Sequence, residues 1–208
     1  MKFPRYRRSH DSMKRLYNWF HNYYGRIEQS LGPILENVIN EIKVDFPDAK
    51  RKTVLEYACG SGLLSFMLAG MFESVRGRDL SEGMIGRAKV RARESGIGNV
   101  EFSIGNILEP DERPGSFDYA FVSFAMHLFP PETEIRILDK LFLIAREAVV
   151  IIDHGRKWDV PTAIIEWLEG GYYDVFIKQD FNRFAGMIGA KTSSEKQIEG
   201  CTVLIFRK

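Results

Sequence analysis

Three sets of residues in this 208-residue chain have the types and spacing that chemistry needs. The first is Glu56-Tyr57-Ala58-Cys59-Gly60-Ser61-Gly62, an acid followed by a run of small residues with two glycines. Small side chains let a ligand approach the backbone, and glycine accepts φ > 0 at little steric cost. The apolar pair Val54-Leu55 precedes this run, and Leu63, Leu64, Phe66, Met67 and Leu68 follow it at helical spacing. The reading is strand, tight turn, helix, with the helix N-terminus offering unpaired N–H groups and a positive dipole end. The second set is Asp79, which lies 23 residues after Glu56 and closes a second strand pattern, Ser74–Arg78. An acid at that distance is placed to accept hydrogen bonds from ribose hydroxyls. The third set is His127, after a fourth strand pattern, and Asp153 with His154, after a fifth. Imidazole titrates near neutrality, so His127 is a candidate general base, with packing beside the ligand as an equal reading. Asp153 and His154 fall at the carboxyl edge of the sheet, where ligands of open α/β sheets bind, and are second candidates for substrate contact or proton removal.

The elements that must position these residues are legible in the patterning. Residues 16–45 read as two helices: Leu16, Trp19, Phe20, Tyr23, Tyr24 and Ile27, then Ile34, Leu35, Val38, Ile39 and Ile42, with a break at Gly32-Pro33. After residue 53, strands and helices alternate. Ser81 is an N-cap for a helix through Arg93, ended by Gly96 and Gly98. Strands are expected at Val100–Ile104, Phe117–Ser123 and Ala148–Ile152, with a helix over Glu132–Arg146. A late helix, Asp180–Ile188 with Gly189 as its C′ residue, precedes strands at 191–198 and 201–206 joined by Glu199-Gly200. This is α/β grammar: a doubly wound, Rossmann-like, mostly parallel seven-stranded sheet, closed by an antiparallel C-terminal pair, with helices on both faces.

The turn lacks the third glycine of a dinucleotide fingerprint and the lysine of a P-loop. It resembles motif I, E/D-x-G-x-G-x-G, of the Rossmann-like (class I) S-adenosylmethionine-dependent methyltransferases, with Ala58 where glycine is commoner. Gly77-Arg78-Asp79-Leu80-Ser81-Glu82-Gly83-Met84-Ile85 resembles the same family's G-x-D-x-S-x-x-M-L pattern. The resemblance implies that Asp79 holds the ribose and that Leu80 and Met84 line the adenine face. Gly105-Asn106-Ile107 stands where the family usually has Gly-Asp. An amide oxygen can accept the same bond without charge, although Asn is also a common turn residue. Phe117-Asp118 resembles the fourth motif, with Asp118 structural and Ser123 opening the segment where cofactor meets substrate. The implied cofactor set is Glu56, Ala58, Cys59, Gly60, Gly62, Asp79, Leu80, Met84, Asn106, Ile107 and Ser123.

The aromatic N-terminal helix also resembles the small-molecule and quinone methyltransferase group. That implies a helical cap or lid over residues 1–50, with Tyr17 or Tyr24 closing on the cofactor, ahead of a cofactor-binding domain over 51–208. Tyr172 and Tyr173, in a substrate-side insertion around 154–180, would serve the acceptor. The activity implied is methyl transfer from S-adenosylmethionine to a small, partly apolar acceptor, leaving S-adenosylhomocysteine. Two alternatives stand beside it. One is methylation of RNA or protein through the basic N-terminus (Lys2, Arg5, Arg7, Arg8, Lys14, Arg15), although no Asn-Pro-Pro-Tyr signature follows the fourth strand. The other is a non-catalytic S-adenosylmethionine-binding module, which Ala58 and Asn106 keep open.

Composition narrows the partners. At 45% hydrophobic and 27% charged residues the chain is of ordinary globular type. A net charge of +1 gives no whole-surface nucleic-acid footprint. Cys59 and Cys201 form neither a disulfide framework nor a metal-ligand spacing, so no metal is expected. No apolar run reaches the length of a membrane span and no signal-peptide pattern opens the chain, so a cytoplasmic location is the expectation.

Overall fold

The fold was obtained as a computed structural model that describes residues 9, 11–12, 14–16, 24–157 and 170–208. Seven strands form one sheet: β1 (Thr53–Tyr57), β2 (Ser74–Asp79), β3 (Val100–Ile104), β4 (Phe117–Ser123), β5 (Ala145–His154), β6 (Thr192–Ile198) and β7 (Cys201–Arg207). Their spatial order is β3-β2-β1-β4-β5-β7-β6. The first five pair in parallel, and β7 runs antiparallel between β5 and β6. The helices are α1 (Tyr24–Ile42), α2 (Leu63–Ala69), α3 (Glu82–Ser95), α4 (Pro131–Ile144), α5 (Tyr173–Phe176) and α6 (Phe181–Met187).

The period of two along each strand divides the core into two clusters. On one face Val54, Tyr119, Phe121, Val150 and Ile152 pack with Leu35, Val38, Ile39 and Ile42 of α1, Leu64 and Leu68 of α2, and Ile85 and Ala88 of α3. On the other, Leu55, Tyr57, Ala120, Val122, Val149 and Ile151 pack with Ile137, Leu138 and Leu141 of α4 and with Phe176, Phe181 and Phe184 of α5 and α6. The alternation also sorts the polar residues at the strand ends. Glu56 and Ser123 continue the α1–α3 face, and Asp153 continues the α4–α6 face.

Local signals behave as expected at several ends. The Ser81 hydroxyl accepts the Met84 amide at the start of α3, and Gly96 closes that helix with φ 67°. Asp180 caps α6, and Gly189 follows with φ 70°. Asp118 accepts the Thr53 amide at 2.8 Å and pairs with Arg146 at 3.0 Å, tying β4 to β1 and β5.

Two expectations are corrected. Gly32-Pro33 does not divide two helices: α1 runs through it to Ile42. Proline at 33 denies the Gln29 carbonyl its helical partner, but both residues are solvent-exposed, so water satisfies that oxygen while Leu35, Val38, Ile39 and Ile42 bury the opposite stripe. The helix expected over Glu132–Arg146 ends at Ile144, and β5 starts at Ala145 with no loop between. Ala145 and Arg146 are drawn into the sheet because Ala145 pairs with Phe117 and the Arg146 guanidinium bonds Asp118 and the Gly115 carbonyl.

One aromatic ring fixes two glycines. Phe102 of β3 lies opposite Gly77 of β2, and a Cβ on Gly77 would come within 2.6 Å of that ring and 3.0 Å of the Cys59 sulfur. The ring also presses on Gly62, where a Cβ would meet it at 2.5 Å and φ is +87°. Gly77→Ala is therefore expected to destabilise the fold by about 1–3 kcal/mol, as overpacking does in close-packed cores. Chemical denaturation measures this, and a variant of unchanged midpoint would refute the tight contact.

Candidate active site

The site is built where β1, β2 and β4 end. After Tyr57 the chain turns through Ala58 (φ 55°), Gly60 (φ 55°) and Gly62 (φ 87°) into α2. The Gly60 amide donates to Asp79 Oδ2 at 2.8 Å, and the Ser81 amide donates to Oδ1 at 2.8 Å. Asp79 thus bridges the glycine turn and the start of α3. Ala58 is a non-glycine residue in the left-handed region, a backbone strain of about 1–2 kcal/mol held at the turn.

Glu56 lies fully buried on the α2 side of β1. Its two oxygens accept the hydroxyls of Ser65, from α2, and of Ser123, at the end of β4 (the latter at 3.1 Å). Burial pushes the carboxyl up to about 7, against the pull of both hydroxyls, and the charge of Asp79 adds to the rise. Burial likewise raises Asp79 above its ordinary value, opposed by its backbone donors. Among the described residues neither acid is paired with Lys, Arg or His. Burial also drives the Cys59 thiol well up, which keeps it a neutral packing group.

A cavity of about 290 Å³ opens beside these acids. Ala58, Asp79, Leu80 and Ser81 form one wall, Gly105, Ile107 and Leu108 a second, and Ala125, Leu128, Phe129 and Tyr172 a third. Lys14, Thr133 and Arg136 also reach it. Asn106 is turned elsewhere: its Oδ1 accepts the Leu108 amide at 3.0 Å, the local turn that asparagine favours. Met84 is 2% exposed and does not belong to the cavity wall.

On the other face of the sheet, the short 3₁₀ turn Met126–Leu128 carries His127 beneath the carboxyl edge. His127 Nδ1 lies 2.6 Å from Asp153 Oδ1. Asp153 is fully buried and also accepts the amides of Met126 (2.9 Å), His127 (3.3 Å) and His154 (2.7 Å). Burial alone would raise this carboxyl, but the charge and hydrogen bond of His127 hold it below its ordinary range. Asp153 therefore has no surface to offer a substrate, which corrects the expectation of direct contact: it orients His127. His154 packs edge-on against His127 (4.6 Å), Tyr173 (5.1 Å) and Phe124 (5.5 Å). Phe124 itself has φ 47°, a strained backbone immediately after Ser123. His127, Asp153 and His154 present ligand atoms within 4.8 Å of one another. Both Asp153 oxygens are already occupied by hydrogen bonds, so the set reads as an oriented imidazole rather than a metal cage.

The sequence reading did not single out Ser65, Glu134 or Arg136, whereas Ala125 and Leu128 fall in the segment after Ser123 that it placed where cofactor meets substrate. Ser65 carried no signal beyond its place in the first turn after the glycines. Glu134 did carry one: it shares the apolar stripe of α4 with Ile137, Leu138 and Leu141. The structure buries it completely, with the Gln179 amide on Oε1 at 3.0 Å and no described partner on Oε2. Tyr172 and Tyr173 are both present at the site: Tyr172 lines the cavity and its amide donates to the His127 carbonyl at 2.5 Å, while Tyr173 packs on His154. Tyr17 and the side chain of Tyr24 lie outside the described residues.

Burial pushes the Glu134 carboxyl up to about 8. An acid whose folded value exceeds its unfolded value binds its proton more tightly in the fold. That stabilisation is full below about 4.5 and is lost as pH rises through about 8. Glu134→Gln, which does not titrate, should gain several degrees of Tm over the parent between pH 5 and pH 8.5. A Tm difference that stays flat with pH would show that Glu134 is not protonated in the fold.

Comparisons with known proteins agree with this geometry. The family model described as a methyltransferase domain matches residues 54–147. A ubiquinone biosynthesis O-methyltransferase from Pseudomonas paraeruginosa is 32% identical over 108 residues, covering 50% of this chain and 47% of that protein. A demethylmenaquinone methyltransferase from Geobacillus kaustophilus is 34% identical over 100 residues, covering 46% and 40%. The chain thus spans about half the length of these curated relatives, or less. In structure, a SAM-dependent methyltransferase from Aquifex aeolicus superposes with a TM-score of 0.67 at 19% identity, over 90% of this chain and 97% of that one, which speaks to the fold. The glycine turn with its two acids, the strand order and these matches converge: residues 54–147 match the methyltransferase-domain family, and the fold is the Rossmann-like one seen in the S-adenosylmethionine-dependent methyltransferase from Aquifex aeolicus.

Proposed function

We propose that the protein transfers a methyl group from S-adenosylmethionine to a small, partly apolar acceptor of the quinol kind. The observation that carries this reading is a pair of acids flanking the glycine turn without a described cationic partner, Glu56 fully buried and Asp79 half-buried at the cavity wall. Burying unpaired negative charge is costly, and a ligand that brings hydroxyls and positive charge offsets the cost. A ribose with a sulfonium-bearing amino-acid chain is such a ligand. The names of the quinone-methylating relatives support the acceptor class.

Each residue then has a chemical task. Each Asp79 oxygen holds one backbone amide and has a further lone pair for a ribose hydroxyl. Leu80 and Ile107 are apolar walls suited to the two faces of adenine. Asn106, its oxygen already engaged by Leu108, offers adenine at most a second lone pair. Ala58, Cys59, Gly60 and Gly62 supply backbone for the amino-acid end. When bound, the cofactor supplies an electrophilic methyl carbon, whose bond to sulfur breaks as the acceptor atom attacks in line. His127, 2% exposed, acts in its neutral form to take the acceptor proton, its ring fixed by Asp153 and the charge it gains stabilised by that carboxylate. Phe124, His154 and Tyr173 form an aromatic wall for a planar acceptor, and Tyr172 joins that wall to the cofactor cavity. Lys14 at the cavity supports a capping role for residues 1–50. No described helix is long and apolar enough to cross a membrane, and a cytoplasmic site of action accords with that.

Calorimetric titration tests the reading. Binding of S-adenosylmethionine and S-adenosylhomocysteine near micromolar, about −8 kcal/mol, is expected, weakened at least tenfold in Asp79→Asn. Failure of the folded protein to bind either ligand would overturn it. With quinol acceptors, His127→Ala should lower kcat by about 10²–10⁴-fold while cofactor affinity holds. An unchanged kcat would return His127 to a packing role.

A further inference from the structure

Glu56 is an unusual acid for its place. It is fully buried, its oxygens accept from two serine hydroxyls and the Ser65 amide, all neutral, and the nearest charge is that of a second carboxylate. The groups facing it can be named element by element. From α2 comes Ser65, from β4 Ser123, from the glycine turn the neutral thiol of Cys59, and from the end of β2 Asp79. None of these supplies positive charge. Two carboxylates held close in a low-dielectric site do not readily ionise together, and the one with fewer strong donors keeps a proton. Asp79 draws on the amides of Gly60, Leu80 and Ser81, whereas Glu56 has one amide, that of Ser65, and two serine hydroxyls that can either donate to a carboxylate or accept from a carboxylic acid.

Resting on the reading of this pocket as a cofactor site, we infer that Glu56 holds a proton in the free protein and gives it up when a ligand with a cationic amino-acid end binds. Cofactor binding is then coupled to proton release, and Glu56 selects for that charged end over a bare nucleoside. The balance is simple. One proton leaves the carboxyl for solvent, the ligand's positive charge takes its place, and the serine hydroxyl that accepted the acid proton rotates to donate, as the other already does. The neutral form predominates below about pH 7, where burial has set the carboxyl. Affinity for S-adenosylmethionine falls as pH drops below that value, by up to tenfold per unit, and levels off above about pH 8.

The experiment is calorimetry at pH 7 in two buffers of different ionisation enthalpy, which counts protons released per ligand. The probes are S-adenosylmethionine, S-adenosylhomocysteine and 5′-methylthioadenosine, the last carrying the nucleoside without the amino-acid end. The ligand's own amine titrates nearby, so each count is compared with that of Glu56→Gln. The expected result is about half a proton more released by the parent than by Glu56→Gln for the first two ligands, and no difference for 5′-methylthioadenosine. Ser123→Ala removes one hydroxyl donor and should move the window of release to higher pH. It provides the test should Glu56→Gln not fold. If S-adenosylmethionine binds and the counts for parent and Glu56→Gln agree, the inference is overturned while the cofactor reading survives. If none of the three probes binds, the cofactor reading itself fails.

Discussion

The hydrogen bond from the Gly60 amide to the Asp79 carboxylate is the contact on which the site depends. It ties the turn after β1 to the end of β2, so that two acids from strands 23 residues apart in sequence meet at one edge. The bond requires the turn to fold back through left-handed backbone at Ala58, Gly60 and Gly62. The same return puts Gly62 against the Phe102 ring, which also covers Gly77. One aromatic side chain therefore holds the glycine turn, β2 and β3 in register. The strain at Ala58 persists because this packing over-determines the turn.

Charge is divided between the two faces of the sheet. The α1–α3 face carries Glu56, Ser65, Ser123 and Asp79, acids satisfied by hydroxyls and amides. The α4–α6 face carries Asp153, His127 and Glu134, where an imidazole is held by one buried carboxylate near a second carboxyl that burial pushes up to about 8. The sets face each other across β1 and β4, the adjacent strands at which the order β3-β2-β1 gives way to β4-β5. Ligands of open α/β sheets bind at such a switch point. A cationic ligand suits the first face and proton removal suits the second. Tyr172 spans the division, with its side chain at the cavity and its amide on the His127 carbonyl.

Much of this was legible in the residues themselves. Strand–turn–helix at Glu56–Leu68, the Ser81 cap, the Gly96 and Gly189 terminators and the closing strand pair are local matters, and local chemistry dictates them. The spacing of Asp79 after Glu56 foretold that both would reach one edge, because each closes a parallel strand. The exceptions are instructive. Pro33 is a helix breaker by propensity, yet it sits in α1 because the apolar stripe beyond it buries on the sheet. Arg146 continues a helical pattern, yet strand pairing and Asp118 claim it.

By itself, then, the sequence determined the order of elements, the glycine turn and the acids at the strand ends, since these follow from periodicity and backbone conformational preference over a few residues. Only the tertiary structure decided what those side chains do. Asp153 became the anchor of His127 rather than a substrate contact because the turn Met126–Leu128 delivers two amides and an imidazole to it. Glu56 became a buried acid without a counter-charge because β4 and α2 bring serines, and no described cation, to its oxygens. Glu134 and Gln179 met across 45 residues of chain. Protonation and hydrogen-bond partnership depend on which distant groups burial brings within a few ångströms, and that proximity is a property of the packed sheet and not of any local stretch.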